Sequence, residues 1–199
     1  MRQLARAIGI FACALLSFGG SPVRATAVPP QAVELALGTS LEVFADPAGA
    51  LVADDFFSAR TALVPLTFRR QPPNLGYPRH RHWVRLTLAN NSPVAMDRLL
   101  VFWRGSAHQL RVFAKTDTGA MRDLGSGNDV VSRHAVTRLH LPGHTTTALV
   151  LRVDSASALA LDLRLLTETE LARVDRRDYL WFGMLVGIGG AVALGGVAR

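Results

Sequence analysis

The chain has 199 residues, 49% of them hydrophobic, with 22 basic against 15 acidic residues and a formal net charge of +7. That hydrophobic fraction excludes a disordered polypeptide, and a single cysteine, Cys13, excludes both a disulfide-stapled scaffold and a zinc-thiolate site. Nucleic acid is not an expected partner: residues 1–27 hold three arginines and no acid, the remainder is 19 basic against 15 acidic, and its arginines are scattered.

The N-terminus reads as a secretory signal over residues 1–27. Arg2 and Arg6 form a basic start, Ala7 to Phe18 is apolar, and Ala25-Thr26-Ala27 gives a small-residue cleavage pattern with the cut expected after Ala27. The apolar stretch is short for an anchor helix, which needs about 20 residues.

The body, 28–172, reads as β. Val33 to Leu37 and Leu41 to Phe44 are short strand candidates, and Asp54 to Leu63 is a helical candidate of a turn or two, capped by Asp54 or Asp55. His82 to Leu88 sets Val84, Leu86 and Leu88 against Trp83, Arg85 and Thr87, and Asn90-Asn91-Ser92-Pro93 breaks the alternation. Leu99 to Trp103 and Gln109 to Lys115 are further strands, followed by a turn at Asp117-Thr118-Gly119. Thr137 to Leu141, Thr145 to Val153 and Leu159 to Leu166 complete the set. Short strands separated by turn signals at such spacings predict an all-β antiparallel sandwich.

Residues 173–178 are a charged connector. From Tyr179 to Val197 the sequence YLWFGMLVGIGGAVALGGV carries no charge and predicts one transmembrane α-helix, with Tyr179 and Trp181 at an interface and glycines offering flat packing surfaces. Arg173, Arg176 and Arg177 precede it, which opposes the positive-inside rule if the body is exported. Further membrane helices would resolve that conflict, so the chain is expected to be a fragment of a longer membrane protein.

Candidate chemistry is sparse. His80 and His82 share a strand face but lack a third ligand, so no metal is expected. Asp54-Asp55 fits a helix cap better than a catalytic carboxylate pair. Gly119 to Gly127 lacks the ending of a phosphate loop and reads as a flexible loop. No catalytic residue and no cofactor are expected, and an enzyme is not predicted. Trp83, on an alternating strand, is expected to be core packing rather than a ligand platform. Trp103 ends an apolar strand; it either packs or stacks on a sugar ring, with Arg104, His108 and Arg111 supplying polar contacts. These four are the candidate ligand-binding residues.

Local motifs add a resemblance. Asn74-Leu75-Gly76-Tyr77, followed by Trp83-Val84-Arg85-Leu86-Thr87-Leu88-Ala89-Asn90, resembles the NLG…W-x-R-x-x-x-x-N stretch of the type 2 extracellular domain of 7TMR-DISM proteins. These are bacterial seven-transmembrane receptors with diverse intracellular signalling modules. Leu149 to Ser155 resembles that domain's late strand, and Tyr179 to Gly183, with Gly187, resembles the family's first membrane helix. The resemblance covers about residues 33–190. It implies a jelly-roll sandwich like carbohydrate-binding modules, a small ligand such as a carbohydrate, further membrane helices and a cytoplasmic signalling domain. It also implies the bacterial inner membrane, with residues 28–178 in the periplasm. The alternative is a membrane-anchored structural or protein-interaction domain of the cell envelope.

Overall fold

The computed structural model describes residues 25–58, 63–103, 110–117, 119–127, 129–155 and 157–197, with the side chains of the last helix described as far as Val186. Among the described residues, twelve strands and two α-helices follow in order: β1 (Thr26–Ala27), β2 (Glu34–Ala36), β3 (Glu42–Asp46), α1 (Ala53–Phe57), β4 (Asn74–Gly76), β5 (Arg81–Asn90), β6 (Met96–Phe102), β7 (Leu110–Thr116), β8 (Arg122–Gly125), β9 (Ala135–Leu141), β10 (Thr145–Val153), β11 (Leu159–Ala160), β12 (Leu163–Leu166) and α2 (Glu168–Val197).

Alternation along the long strands makes the sandwich. One sheet runs β5-β10-β7-β8, with β1 and β3 both on the free edge of β5; the other runs β2-β12-β6-β9, and β4 pairs β11 in a small ribbon. All of these pairings are antiparallel except β1 with β5. Val84, Leu86 and Leu88 of β5, Leu149, Leu151 and Val153 of β10, and Leu110 and Val112 of β7 point inward. They meet Leu100 and Phe102 of β6, Leu139 and Leu141 of β9, and Leu163 and Leu165 of β12. Each such side chain contributes about 1.5–3 kcal/mol when fully buried.

Because successive strand residues face opposite sides, the partners of these core residues form the outer faces. Outside the six-stranded sheet, Phe44, Trp83 and Val150 are buried beneath α1 through Ala53 and Phe56. This helix is a single turn. Its cap differs from the one expected: Val52 is the N-cap residue, and Asp55, three positions on, accepts the Val52 N–H at 2.9 Å. Acidic side chains favour that end of a helix for the same electrostatic reason. Outside the four-stranded sheet, Leu99, Val101, Val136 and Leu166 are covered by Leu171 of α2.

Several boundaries differ from the expected ones. β1 lies on the N-terminal side of the expected cut, and Val28, 3% exposed, donates its N–H to Ala89. The segment read as a loop from Gly119 to Gly127 contains β8, which pairs with β7. The run from Leu159 to Leu166 is split between β11 and β12, which belong to different sheets. The 173–178 connector is not a separate segment. It lies within α2, which starts at Glu168 because Thr167 caps it, its Oγ1 accepting the Glu170 N–H at 3.3 Å. Among the described residues no helix is long and apolar enough to cross a membrane.

Candidate functional site

The register of β5, β10 and β7 lays out the outer face of the six-stranded sheet as a grid. Trp83, Arg152 and Arg111 form one row across the three strands; Arg85, Val150 and Phe113 form the next; Thr87, Ala148 and Lys115 the one after. α1 covers the middle through Phe56, whose ring centroid lies 5.0 Å from that of Trp83, and the Phe113 centroid lies 6.3 Å from the same indole. Trp83 is thus buried, as expected, but outside the inter-sheet core. Its Nε1–H donates to Asp46 Oδ2 at 3.2 Å, and Asp46 also accepts the N–H groups of Ala50 and Leu51.

This aromatic ridge separates two open basins. The larger has a volume of about 640 Å³ and is lined by Arg81, Leu110, Arg111, Arg152, Asp154, Gly125 and Ser126. The smaller, about 250 Å³, includes Phe57, Arg85, Thr87, Lys115, Asp117 and Thr146. The larger is within the usual range for a small-ligand site, and the smaller is slightly below it.

In the larger basin Asp154 joins two strands. Its Oδ1 accepts Arg81 Nε–H at 3.1 Å, and its Oδ2 lies 3.1 Å from Arg152 Nε. The second contact is an ion pair without hydrogen-bond alignment, so Arg152 Nε is buried with no hydrogen bond. Asp123 Oδ2 accepts Arg111 Nε–H at 2.8 Å and lies 2.6 Å from Arg111 Nη2. Those contacts hold the Asp123 carboxyl below the usual carboxylate range. In the smaller basin Arg85 is held by Glu42 at 2.7 Å. Lys115 has no ion-pair partner among the described residues.

Of the four residues picked from sequence, Arg104 and His108 lie outside the described residues. The other two are on different sheets. Arg111 lines the larger basin. Trp103 follows β6 and packs with Val101, Val136 and Leu171 on the outside of the four-stranded sheet. His134 stacks on its ring at 4.3 Å with a 16° tilt, and the Arg164 guanidinium lies 4.3 Å from the same centroid. These contacts engage the indole ring itself, the surface a stacked sugar would need. Sequence reasoning missed Arg81, Arg152, Asp154 and Lys115; each sits at an outward position of an alternating strand or just past its end, which was the available signal.

His80 and His82 have ring centroids 6.3 Å apart. Burial pushes His82 below the usual histidine value, and its Nδ1–H donates to the His80 carbonyl at 2.9 Å. Among the described residues no three metal-type side chains cluster.

The motif residues fall into structural roles. Asn90, 1% exposed, places Nδ2 3.0 Å from the carbonyls of Val94, Leu141 and Pro142, and its Oδ1 accepts the Ser92 N–H. It ties the end of β5 to the β9–β10 turn.

No curated protein matched the sequence. The family model described as 7TMR-DISM extracellular 2 matches residues 38–167. That segment runs from just before β3 to the cap of α2 and contains both basins, and it is more than half of the 199 residues. The chain therefore belongs to the 7TMR-DISM extracellular 2 family, and the β-sandwich is its extracellular domain.

Proposed function

We propose that the sandwich is the periplasmic ligand-sensing domain of a signalling receptor of the bacterial inner membrane. In this reading it binds a small polar molecule such as a carbohydrate on the outer face of the six-stranded sheet and passes the bound state through α2. The observation that carries the reading is that face: two basins rich in charged and hydroxyl side chains, flanking a buried aromatic ridge.

A route from site to helix supports it. Gly125 and Ser126 line the larger basin. The same connection between β8 and β9 continues to Ser132, which donates to Asp175 of α2 at 3.1 Å, and to Arg133, 5.6 Å from the Phe182 ring. Gly127 holds the connection against the sandwich, its carbonyl accepting the Val136 N–H at 2.6 Å. A ligand that binds two arrangements of this connection with different affinity shifts the balance between them and with it the setting of α2. Leu171 and Val174, both buried, keep the first turns of the helix docked.

The reading places residues 179–197 across the bilayer, with further membrane helices and a cytoplasmic signalling domain as partners. Tyr179, Leu180, Trp181, Phe182, Leu185 and Val186 are 57–66% exposed, an apolar surface that lipid suits and water does not. The test is a thermal-shift series on the full chain in mild detergent against neutral and acidic mono- and disaccharides. At least one sugar is expected to raise the melting midpoint, and one of two variants, Arg152→Gln in the larger basin or Ala148→Trp in the smaller, to abolish that rise. A sugar that stabilises the parent and both variants equally would refute this face as the site.

A further inference from the structure

We infer that the larger basin is an anion subsite, and that its ligand is a carboxylated sugar of the hexuronate class. The inference rests on the sensing-domain reading and specifies its ligand. Arg111 and Arg152 stand directly opposite each other on β7 and β10, on the same face. Like charges in that position destabilise a strand pair unless an anion lies between them. Asp154 is shared between Arg81 and Arg152, and Asp123 pairs with Arg111. Three guanidinium groups line the basin against one lining carboxylate; outside the lining, Asp123 pairs with Arg111 and Asp46 lies 4.0 Å from Arg81. Arg152 Nε is buried against Asp154 at 3.1 Å without hydrogen-bond alignment, so a ligand meets this guanidinium through its terminal nitrogens.

A guanidinium fork matches the planar, two-oxygen geometry of a carboxylate. A carboxylate between Arg111 and Arg152 would relieve their repulsion. The rest of the lining suits the mixed surface of a sugar: Asp154 and Ser126 can meet hydroxyls, and Leu110 a C–H face. Trp83 is 2% exposed beneath α1, so the basin offers no indole face for a neutral ring to stack on. Charge rather than stacking is its means of recognition.

The experiment is calorimetric titration of the full chain in mild detergent with sodium D-glucuronate, D-glucose and sodium sulfate. Glucuronate is expected to bind at least tenfold more tightly than glucose, and more weakly as salt is raised. Arg152→Gln and Arg111→Gln should each weaken it at least tenfold, Arg152→Lys less, and Ala148→Trp, in the other basin, not at all. Melting midpoints confirm that each variant is folded. Sulfate binding as tightly as glucuronate would overturn the carboxylated-sugar assignment in favour of a simple anion site. Glucose binding as tightly as glucuronate, with loss in Ala148→Trp, would overturn the inference while leaving the sensing-domain reading standing. Absence of glucuronate binding, or binding unaffected by both arginine variants, would overturn the inference outright.

Discussion

Replacing Trp83 measures how much of the sandwich depends on the layer outside its six-stranded sheet. The side chain is 2% exposed, its ring meets Phe56 at 5.0 Å and Phe113 at 6.3 Å, and its Nε1–H donates to Asp46. Truncation to alanine leaves a cavity, which costs about 3–5 kcal/mol for a large aromatic. It also removes one donor from a carboxylate that is 3% exposed and keeps the Ala50 and Leu51 N–H groups. Loss of a hydrogen bond to a charged group adds about 1–3 kcal/mol, with partial overlap between the two costs. The expected total for Trp83→Ala is about 4–6 kcal/mol, a large part of the ~5–15 kcal/mol available to a domain. Trp83→Phe keeps the ring packing and loses the donor, so about 1–3 kcal/mol is expected. Denaturant titration of the chain in mild detergent, followed by far-UV circular dichroism, reads both values. A cost below about 1 kcal/mol for Trp83→Ala would refute the buried-ridge assignment. Equal costs for the two variants would refute the division between packing and hydrogen bond.

Asn90→Ala is expected to destabilise by about 2–4 kcal/mol, because buried carbonyls at the β9–β10 turn lose their donor; the same titration checks it. Gly127→Ala is expected to cost about 1–3 kcal/mol, since the residue has φ +72° and an added Cβ would lie 3.2 Å from Leu110 Cδ2. His82 gives a pH dependence of definite sign. Its folded value lies below that of the unfolded chain, so the folded state binds fewer protons and stability rises with pH. The contribution is full above the ordinary histidine value of about 6.5 and is lost as pH falls from there through the folded value. Melting curves from pH 7.5 down to about 5 should show a falling midpoint, and His82→Gln should flatten that fall.

The long strands were legible because their pattern and their burial agree. Thr145 to Val153 was bounded correctly at both ends, and Val84, Leu86 and Leu88 face the core as their alternation requires. The strands that escaped, β1, β4 and β8, have two to four residues, too few for a period of two to register. The start of α2 had a signature, Thr167 with Glu170 three positions on, that the charge run after it obscured. Burial of Trp83 was readable and its face was not, because covering an outer face depends on where α1 docks. The candidate site was legible only in Arg111. Arg81, Arg152 and Asp154 reach it through pairing between β5, β10 and β7, which no local pattern encodes. Trp103 carried the composition of a ligand platform, and its contacts with His134 and Arg164 arise from tertiary packing that no local pattern encodes.

A receptor sensing domain must lie outside the cytoplasm, and one labelling experiment addresses that directly. Val131, 99% exposed on the connection between β8 and β9, accepts a cysteine without loss of packing. The chain's single cysteine, Cys13, lies within the expected signal, and the parent chain serves as the control. In cells with a permeabilised outer membrane and an intact inner membrane, a membrane-impermeant maleimide is expected to label Val131→Cys and not the parent. Labelling that appears only after the inner membrane is broken would place the sandwich in the cytoplasm and contradict the receptor reading.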